Sequence, residues 1–270
     1  MGMIKIKSLH KLEAVMRTWH IANGCKVIYD EAANYSFGRS IAYPDSAGGM
    51  ITGGDQHILK AARTSNLGEN TGMKTRIADE KLLRYLWENH HDSCFEQVHL
   101  SFTVICDLRT AMQMDTHRTW HKNRHSRRYS QDWVEFIYPQ WRLQNRVGNK
   151  QGGDMAAQES LGKRWTHAWN DWVIDAVYRY ETVLKEGMAR EQAAYFLPTG
   201  VLTATFYTVD LRNLIGFIRL RCEEHAQYEV RQIAYKLVEM IEITNPWVHK
   251  LLMEEFDAKG WTRELAEENK

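Results

Sequence analysis

Two apolar periods run along this chain, a helical one and a strict alternation, and they divide it into elements. Leu12, Val15, Met16 and Trp19 form a helical stripe that predicts a helix over 9–22. Residues 23–54 are rich in Gly, Ser and Asn and predict irregular chain; Gly48-Gly49 and Gly53-Gly54 bracket Ile51 as a loop or a short strand pair. A short helix follows around 58–64. A stronger one covers 77–90, with Leu82, Leu83, Leu86 and Trp87 facing inward. The period then changes to two. Val98, Leu100, Phe102, Val104 and Cys106 alternate with His99, Ser101, Thr103 and Ile105, the pattern of a half-buried strand.

A helix over about 107–118 leads into a segment dense in Arg and His. Gly148 to Gly153 predicts a loop. Residues 154–185 predict a long helix, with Leu161, Trp165, Ala168, Trp172, Ala176, Tyr180 and Leu184 near helical spacing. Pro198-Thr199-Gly200 is a turn, and the β-branched and aromatic run 201–209 is a second strand. Helices over 210–222 and 225–243 come next, the second ended by Asn245-Pro246, and the charged tail from Glu264 to Lys270 frays. Many helices, two separated strands and no regular strand–helix alternation define an α+β class. No GxGxxG or P-loop pattern is present, so neither a Rossmann nor a Walker site has residues to stand on.

Composition narrows the function. At 270 residues, one large domain or two intimately packed ones can bury a substantial core. Hydrophobic residues at 44% and charged residues at 26% are ordinary for a globular protein, which excludes a disordered tail or a coiled-coil rod. No run approaches the ~18 apolar residues of a membrane span. The N-terminus lacks a signal-peptide core, and Cys25, Cys94, Cys106 and Cys222 form no CxxC pair and no disulfide framework, so a cytoplasmic compartment is expected. A net charge of +1 argues against a dedicated nucleic-acid coat.

The chemistry concentrates in residues 113–130. Arg118, Lys122, Arg124, Arg127 and Arg128 fall within eleven positions, with His117, His121 and His125 among them. Guanidinium forks grip phosphate oxygens and pyrimidine carbonyls. A solvated basic surface is the default for such a run, yet it explains neither Trp120 nor Tyr129 within it. Nucleic-acid binding is a second reading, opposed by the neutral remainder of the chain. A metal is a third, since the three histidines would share one helical face, but no carboxylate stands in register and the arginines oppose a cation; no metal is expected.

The segment also resembles the signature of the flavin-dependent thymidylate synthases, Arg-His-Arg, seven residues, then Ser and Arg-Tyr. Here His117-Arg118 keeps two of the first three, Ser126 follows at the right spacing, and Arg127, Arg128 and Tyr129 come after it; Gln113 and Asn123 also match. His91-Asp92-Ser93-Cys94-Phe95-Glu96 resembles the family's block before a strand, and Ala61-Ala62-Arg63-Thr64-Ser65 one near its N-terminus. Downstream, Arg190-Glu191-Gln192-Ala193 with Leu197-Pro198, then Arg212-Asn213-Leu214, Phe217, Leu220-Arg221 and His225-Ala226-Gln227-Tyr228-Glu229 continue in family order. The resemblance covers about 56–131 and 187–243. It divides the chain into an unmatched extension over 1–50, a catalytic domain over 51–255 and a charged tail over 256–270.

The resemblance implies mixed helices with an antiparallel sheet, a homotetramer with active sites between subunits, and FAD-dependent C5 methylation of dUMP to dTMP. Methylenetetrahydrofolate would be the carbon donor and NADPH the reductant. Arg221 matches the arginine beside the pyrimidine and, with Ser126, carries the catalytic expectation; a guanidinium against a ring carbonyl stabilises the charge that C5 attack requires. Gln113, Arg124, Ser126, Arg127, Arg128 and Arg221 are the expected substrate contacts. His91, Ser93, His117, Arg118, Thr119, Arg212 and His225 are the expected cofactor contacts. Taken singly, His225 reads as a cap or core histidine and Arg212 as a surface ion pair.

The chain also departs from the family. Thr116 stands at the first arginine of the signature, His121 at a usual Ser, and Arg124 at a usual acid. Ala204 falls where a phosphate-binding arginine is common, and Gly216 and Asp210 replace usual flavin-side residues. Each charged hydrogen bond lost without replacement costs about 1.5–3 kcal/mol. Arg124, Arg127 and Lys122 add charge nearby, which suggests a relocated phosphate site. Two alternatives follow: a flavoenzyme that modifies another pyrimidine nucleotide, UMP or dCMP, or a nucleic-acid-binding protein that has lost the flavin.

Overall fold

A computed structural model describes residues 16–20, 26–30, 54–64, 75–131, 133–144, 153–154, 158–223 and 225–261. The elements are β1 (Met16–His20), β2 (Lys26–Asp30), α1 (Asp55–Thr64), α2 (Arg76–Glu88), α3 (Asp92–Phe95), β3 (His99–Asp107) and α4 (Leu108–Met114). Then come β4 (His121–Arg124), the short pair β5 (Leu143–Gln144) and β6 (Gly153–Asp154), α5 (Gln158–Lys185) and α6 (Arg190–Ala193) with a 3₁₀ turn at Ala194–Phe196. β7 (Leu202–Asp210), α7 (Leu211–Arg221), α8 (Tyr228–Thr244) and α9 (Pro246–Lys259) complete the order.

The main sheet is antiparallel throughout, in the order β1-β2-β3-β7-β4. Its centre is the β3–β7 pair, which sets Phe102 opposite Tyr207. Each of these strands ends in an aspartate that caps the next helix. Asp107 accepts from the Thr110 N–H at 3.0 Å and starts α4; Asp210 accepts from the Asn213 N–H at 2.9 Å and starts α7. Because the strands are antiparallel, the two helices leave from opposite ends of the pair. α8 supplies the centre of the core, with Val230, Ile233, Ala234, Leu237, Met240 and Ile241 fully buried. Burying each large aliphatic side chain is worth about 1.5–3 kcal/mol, so this helix carries much of the stability.

Several expectations are corrected. Residues 16–20 form a strand rather than part of a helix, because their backbone pairs with β2 from Met16–Asp30 to His20–Lys26; Leu12 and Val15 lie outside the described residues. The irregular stretch contains β2, whose Lys-Val-Ile-Tyr-Asp run joins the sheet between β1 and β3, with Lys26 opposite Ile105 and Ile28 opposite Thr103. Gly48-Gly49, Ile51 and Gly53, most of the 148–153 loop and the tail from Glu264 lie outside the described residues. β3 is half-buried only in its first part; from Val104 to Asp107 every residue is buried.

The helix after β3 stops at Met114 rather than continuing to 118, and residues 121–124 form an edge strand on β7. His117, His121 and His125 therefore share no helical face. α5 begins at Gln158 with its inward face on Trp169, Ala176 and Tyr180, whereas Trp165 and Trp172 are 48% and 54% exposed and Ala168 is exposed. Adjacent stripes on a long helix differ by one residue, and the indole of Trp169, donating to the Ile137 carbonyl at 3.1 Å, selects the inner one. Pro246 ends α8 and also opens α9, where its missing N–H costs nothing. Asp55 caps α9 from a distance, accepting from the Trp247 N–H at 2.9 Å, and Gly260 closes that helix at φ 76°.

Candidate active site

α4 and α7 start at opposite ends of the central strands, and their C-terminal ends meet. The Arg221 Nε–H donates to His117 Nε2 at 3.1 Å, and Nη2 donates to Thr116 Oγ1 at 3.4 Å. Burial, then the nearby Arg221 charge, pushes the His117 pKa down to about 4. The imidazole is thus neutral at physiological pH and accepts at Nε2, so its proton sits on Nδ1. Burial also lowers the Arg221 pKa from its ordinary value; a guanidinium remains charged regardless. Behind this pair lie Trp120 and Phe217, ring centroids 4.7 Å apart, packed onto Phe102 and Tyr207 of the sheet. Gln113, on α4, is half-buried beside the pair, its carbonyl accepting from Thr116. Arg118 and Thr119 are exposed in the following turn.

A second group stands at the other end of α7. Arg212 meets Asp92 at 3.2 Å, at the start of α3 next to exposed Ser93 and to exposed His91, which precedes the helix. His91 lies 5.5 Å from the Tyr85 ring. Arg212 and Arg221 are nine residues apart, about 14 Å along a helix. Between them Gly216 is exposed, and a Cβ built on it meets nothing within 4 Å. His225 is exposed in the turn from α7 to α8.

Ser126 and Arg128 form a third group. Ser126 Oγ accepts from the Arg128 N–H at 3.3 Å, and the Arg128 side chain reaches Glu191 at 2.7 Å. Arg190 donates to the Tyr129 carbonyl at 3.1 Å.

Arg124 and Arg127 point into the protein. Arg124 donates to Asp115 at 2.8 Å and to Thr205 Oγ1 at 2.9 Å, filling the space beside Ala204. Lys122 meets the same Asp115 at 3.0 Å. Burial opposes ionisation of Asp115, but the bonds from Arg124 and Lys122 prevail and hold its carboxyl below the usual range. Arg127 donates to the carbonyls of Trp133 at 3.0 Å and Leu202 at 3.3 Å. Sequence reasoning missed Asp115, Thr205 and the role of Thr116 as an acceptor. Asp115 is the one acid between Gln113 and Ser130, a signal that was present; Thr205 becomes visible only once β4 is known to pair with β7.

Among the described residues no group of three or more His, Cys, Asp or Glu is placed to hold a metal. None of the described helices is long and apolar enough to cross a membrane.

Comparison with known proteins places the chain in a family. The family model described as "Thymidylate synthase complementing protein" matches residues 50–247. The flavin-dependent thymidylate synthase of Thermosipho melanesiensis is 31% identical over 210 residues, covering 78% of this chain and 90% of that protein. That of Wolbachia pipientis wMel is 34% identical over 206 residues, covering 75% and 71%. Among solved structures, the UMP/dUMP methylase PolB from Streptomyces cacaoi bound with 5-Br dUMP superposes with a TM-score of 0.66 at 27% identity, covering 77% of this chain and 92% of that one. These likenesses define the class, an enzyme of the methyltransferase kind built as mixed helices on an antiparallel sheet. The chain belongs to the flavin-dependent thymidylate synthase family.

Membership implies a flavin cofactor. The exposed face of α7 leaves room for one: Arg212 stands one turn before an open, side-chain-free position at Gly216.

Proposed function

We propose that the protein methylates C5 of a uracil nucleotide, dUMP to dTMP, with FAD as cofactor, methylenetetrahydrofolate as carbon donor and NADPH as reductant. The observation that carries this reading is Arg221, a half-buried guanidinium held by two uncharged acceptors and therefore not neutralised. Placed against a pyrimidine carbonyl, it stabilises the negative charge that develops as C5 becomes nucleophilic. Bound flavin supplies the reducing equivalents. His91, Ser93, Arg118, Thr119, Arg212 and His225 are its proposed contacts; His117, which the resemblance would add, is engaged by Arg221 instead. Gln113, Ser126, Arg128 and Arg221 are proposed to hold the nucleotide.

The proposed assembly is a homotetramer with sites between subunits, as family resemblance implies; the two ends of α7, Arg212 and Arg221, lie about 14 Å apart in one chain. Arg124 and Arg127 are proposed to act on the substrate side through the backbone and Thr205 that they brace. The proposed catalytic unit spans 51–255, with 1–50 and 256–270 outside it; α9 crosses the latter boundary, since Phe256 is buried. The proposed compartment is the cytoplasm.

The test is direct. Purified protein is incubated with FAD, NADPH, methylenetetrahydrofolate and dUMP, and the product is identified by mass spectrometry. Formation of dTMP is expected; flavin-loaded protein that forms no methylated nucleotide from any pyrimidine substrate contradicts the reading.

A second reading, with UMP as substrate, is favoured by the likeness to PolB, a UMP/dUMP methylase by name, and by Thr116 and Ala204, which remove two expected arginines. Turnover of UMP in preference to dUMP supports it; an ordinary rate on dUMP alone removes it. Loss of the flavin for nucleic-acid binding is disfavoured, because Lys122, Arg124, Arg127 and Arg128 are all engaged by protein groups and leave little basic stripe for a phosphate backbone.

A further inference from the structure

Four arginines near the site meet a carboxylate: Arg124 with Asp115, Arg128 with Glu191, Arg212 with Asp92, Arg219 with Glu255. Arg221 is different. Its two partners, His117 Nε2 at 3.1 Å and Thr116 Oγ1 at 3.4 Å, carry no charge. Both are themselves fixed. Thr116 Oγ1 donates to the Gln113 carbonyl at 2.8 Å, which turns its lone pairs toward the guanidinium. The His117 ring stands edge-on to Phe217 at 4.7 Å between centroids, at an angle of 74°, with Trp120 at 6.0 Å. Phe217 and Trp120 are buried, so the imidazole is wedged against a rigid wall. Its lowered pKa keeps it an acceptor. Arg221 Nη1 makes no hydrogen bond among the described residues.

A carboxylate in the place of His117 would orient the guanidinium equally well, but it would cancel the charge that the chemistry needs. A neutral acceptor orients without cancelling. We infer that His117, seconded by Thr116, is a positioning residue that fixes the plane of Arg221 and leaves its charge and Nη1 to the nucleotide. This rests on the reading of Arg221 as the nucleotide arginine. It departs from the resemblance, which puts His117 on the flavin. It also gives Thr116 a purpose: an arginine there would set a like charge against Arg221, whereas the hydroxyl accepts from it.

The test uses His117→Phe, His117→Gln, Arg221→Ala and the double variant H117F/R221A, with two readouts. The first is the Arg221 Nε–H resonance in nitrogen-15 spectra, assigned by its loss in Arg221→Ala and independent of any reaction. It is expected to exchange slowly in the wild type, to lose its protection in His117→Phe, and to persist in His117→Gln, whose amide oxygen can replace Nε2. The second is turnover of dUMP and UMP. Misorientation is expected to cost His117→Phe about a hundredfold in kcat, with FAD retained. His117→Gln should recover to within about tenfold of wild type, and H117F should cost nothing further in the Arg221→Ala background.

An Nε–H resonance unchanged by His117→Phe overturns the inference. So does an equal cost of H117F with and without Arg221, or loss of FAD in both His117 variants, which would place the ring on the cofactor. Failure of the functional reading looks different: the wild type itself turns over no pyrimidine nucleotide, while the resonance still decides whether His117 holds Arg221.

Discussion

The arginine-rich segment and the end of α7 both place guanidinium groups near the same aromatic wall, yet they do opposite things with the charge. In the segment, Arg124 is consumed by Asp115 and Thr205 and Arg127 by two backbone carbonyls, so these side chains brace β4 and the chain beyond it. At the end of α7, Arg221 meets only a neutral imidazole and a hydroxyl. The density of arginines therefore does not mark the reactive place. What marks the proposed reactive place is a half-buried guanidinium with no carboxylate beside it and a donor still open: Arg221 keeps Nη1, whereas Arg127, also without a carboxylate, spends both Nη groups on backbone carbonyls.

Substitutions can break this contrast. Arg221→Ala is expected to have the largest effect on chemistry, lowering kcat by about 10²–10³ as loss of a preorganised donor does, while the melting temperature stays near that of the wild type. Unchanged turnover would remove Arg221 from the reaction. Arg124→Met should do the reverse. It is expected to cost about 1.5–3 kcal/mol of stability through the charged bonds it loses, read as a lower urea midpoint, with FAD affinity preserved. A stable variant that loses nucleotide binding would instead make Arg124 a ligand.

Asp115→Asn sharpens the comparison by releasing Lys122 and Arg124 from their shared acid. Phosphate should then bind the variant measurably tighter than the wild type, by about tenfold if one charge-assisted contact of about 1.4 kcal/mol forms. Equal affinity would show that the released cations are not accessible.

The smallest effect concerns pH. The folded pKa of His117, about 4, lies below its ordinary 6.5, so the unfolded chain binds more protons there and stability falls as pH drops from 6.5 toward 4. Asp55 acts in the opposite direction. Burial raises its carboxyl from 3.8 to about 6 despite the bonds from Trp247, Asn245 and Val248, so its contribution is present below 3.8 and is lost as pH rises through 6. The two slopes offset each other between about pH 4 and 6. His117→Gln should expose the Asp55 slope, making the variant relatively more stable at pH 4.5 than at pH 6.5 in urea titrations; an unaltered pH profile would contradict the neutral state of His117.

Much of this was legible in the sequence. The alternation from Val98 to Cys106 and the β-branched run after Gly200 placed the two central strands, and Leu83 and Leu86 placed the inner face of α2. The blocks around His117, Arg212 and Arg221 named residues that the end of α4 and the two ends of α7 carry, and the structure bonds His117 to Arg221. Other features depend on tertiary context. β2 owes its state to pairing with β3 and β1 to pairing with β2, which overrides the helical spacing of Met16 and Trp19. α9 was hidden because Pro246 both ends a helix and begins one. The sorting of arginines into braces and a reactive group could not be read at all, because it depends on which of them meets Asp115 or a carbonyl after β4 folds onto β7.

The central claim is that Arg221 presents an uncompensated guanidinium to a pyrimidine beside a bound flavin. The most direct measurement is the visible difference spectrum of FAD-loaded protein titrated with dUMP and UMP, wild type against Arg221→Ala. A saturable perturbation of the flavin band in the wild type, requiring at least about tenfold more nucleotide in Arg221→Ala, is the predicted result. A band that no pyrimidine nucleotide perturbs, or one that responds identically in the two proteins, would contradict it.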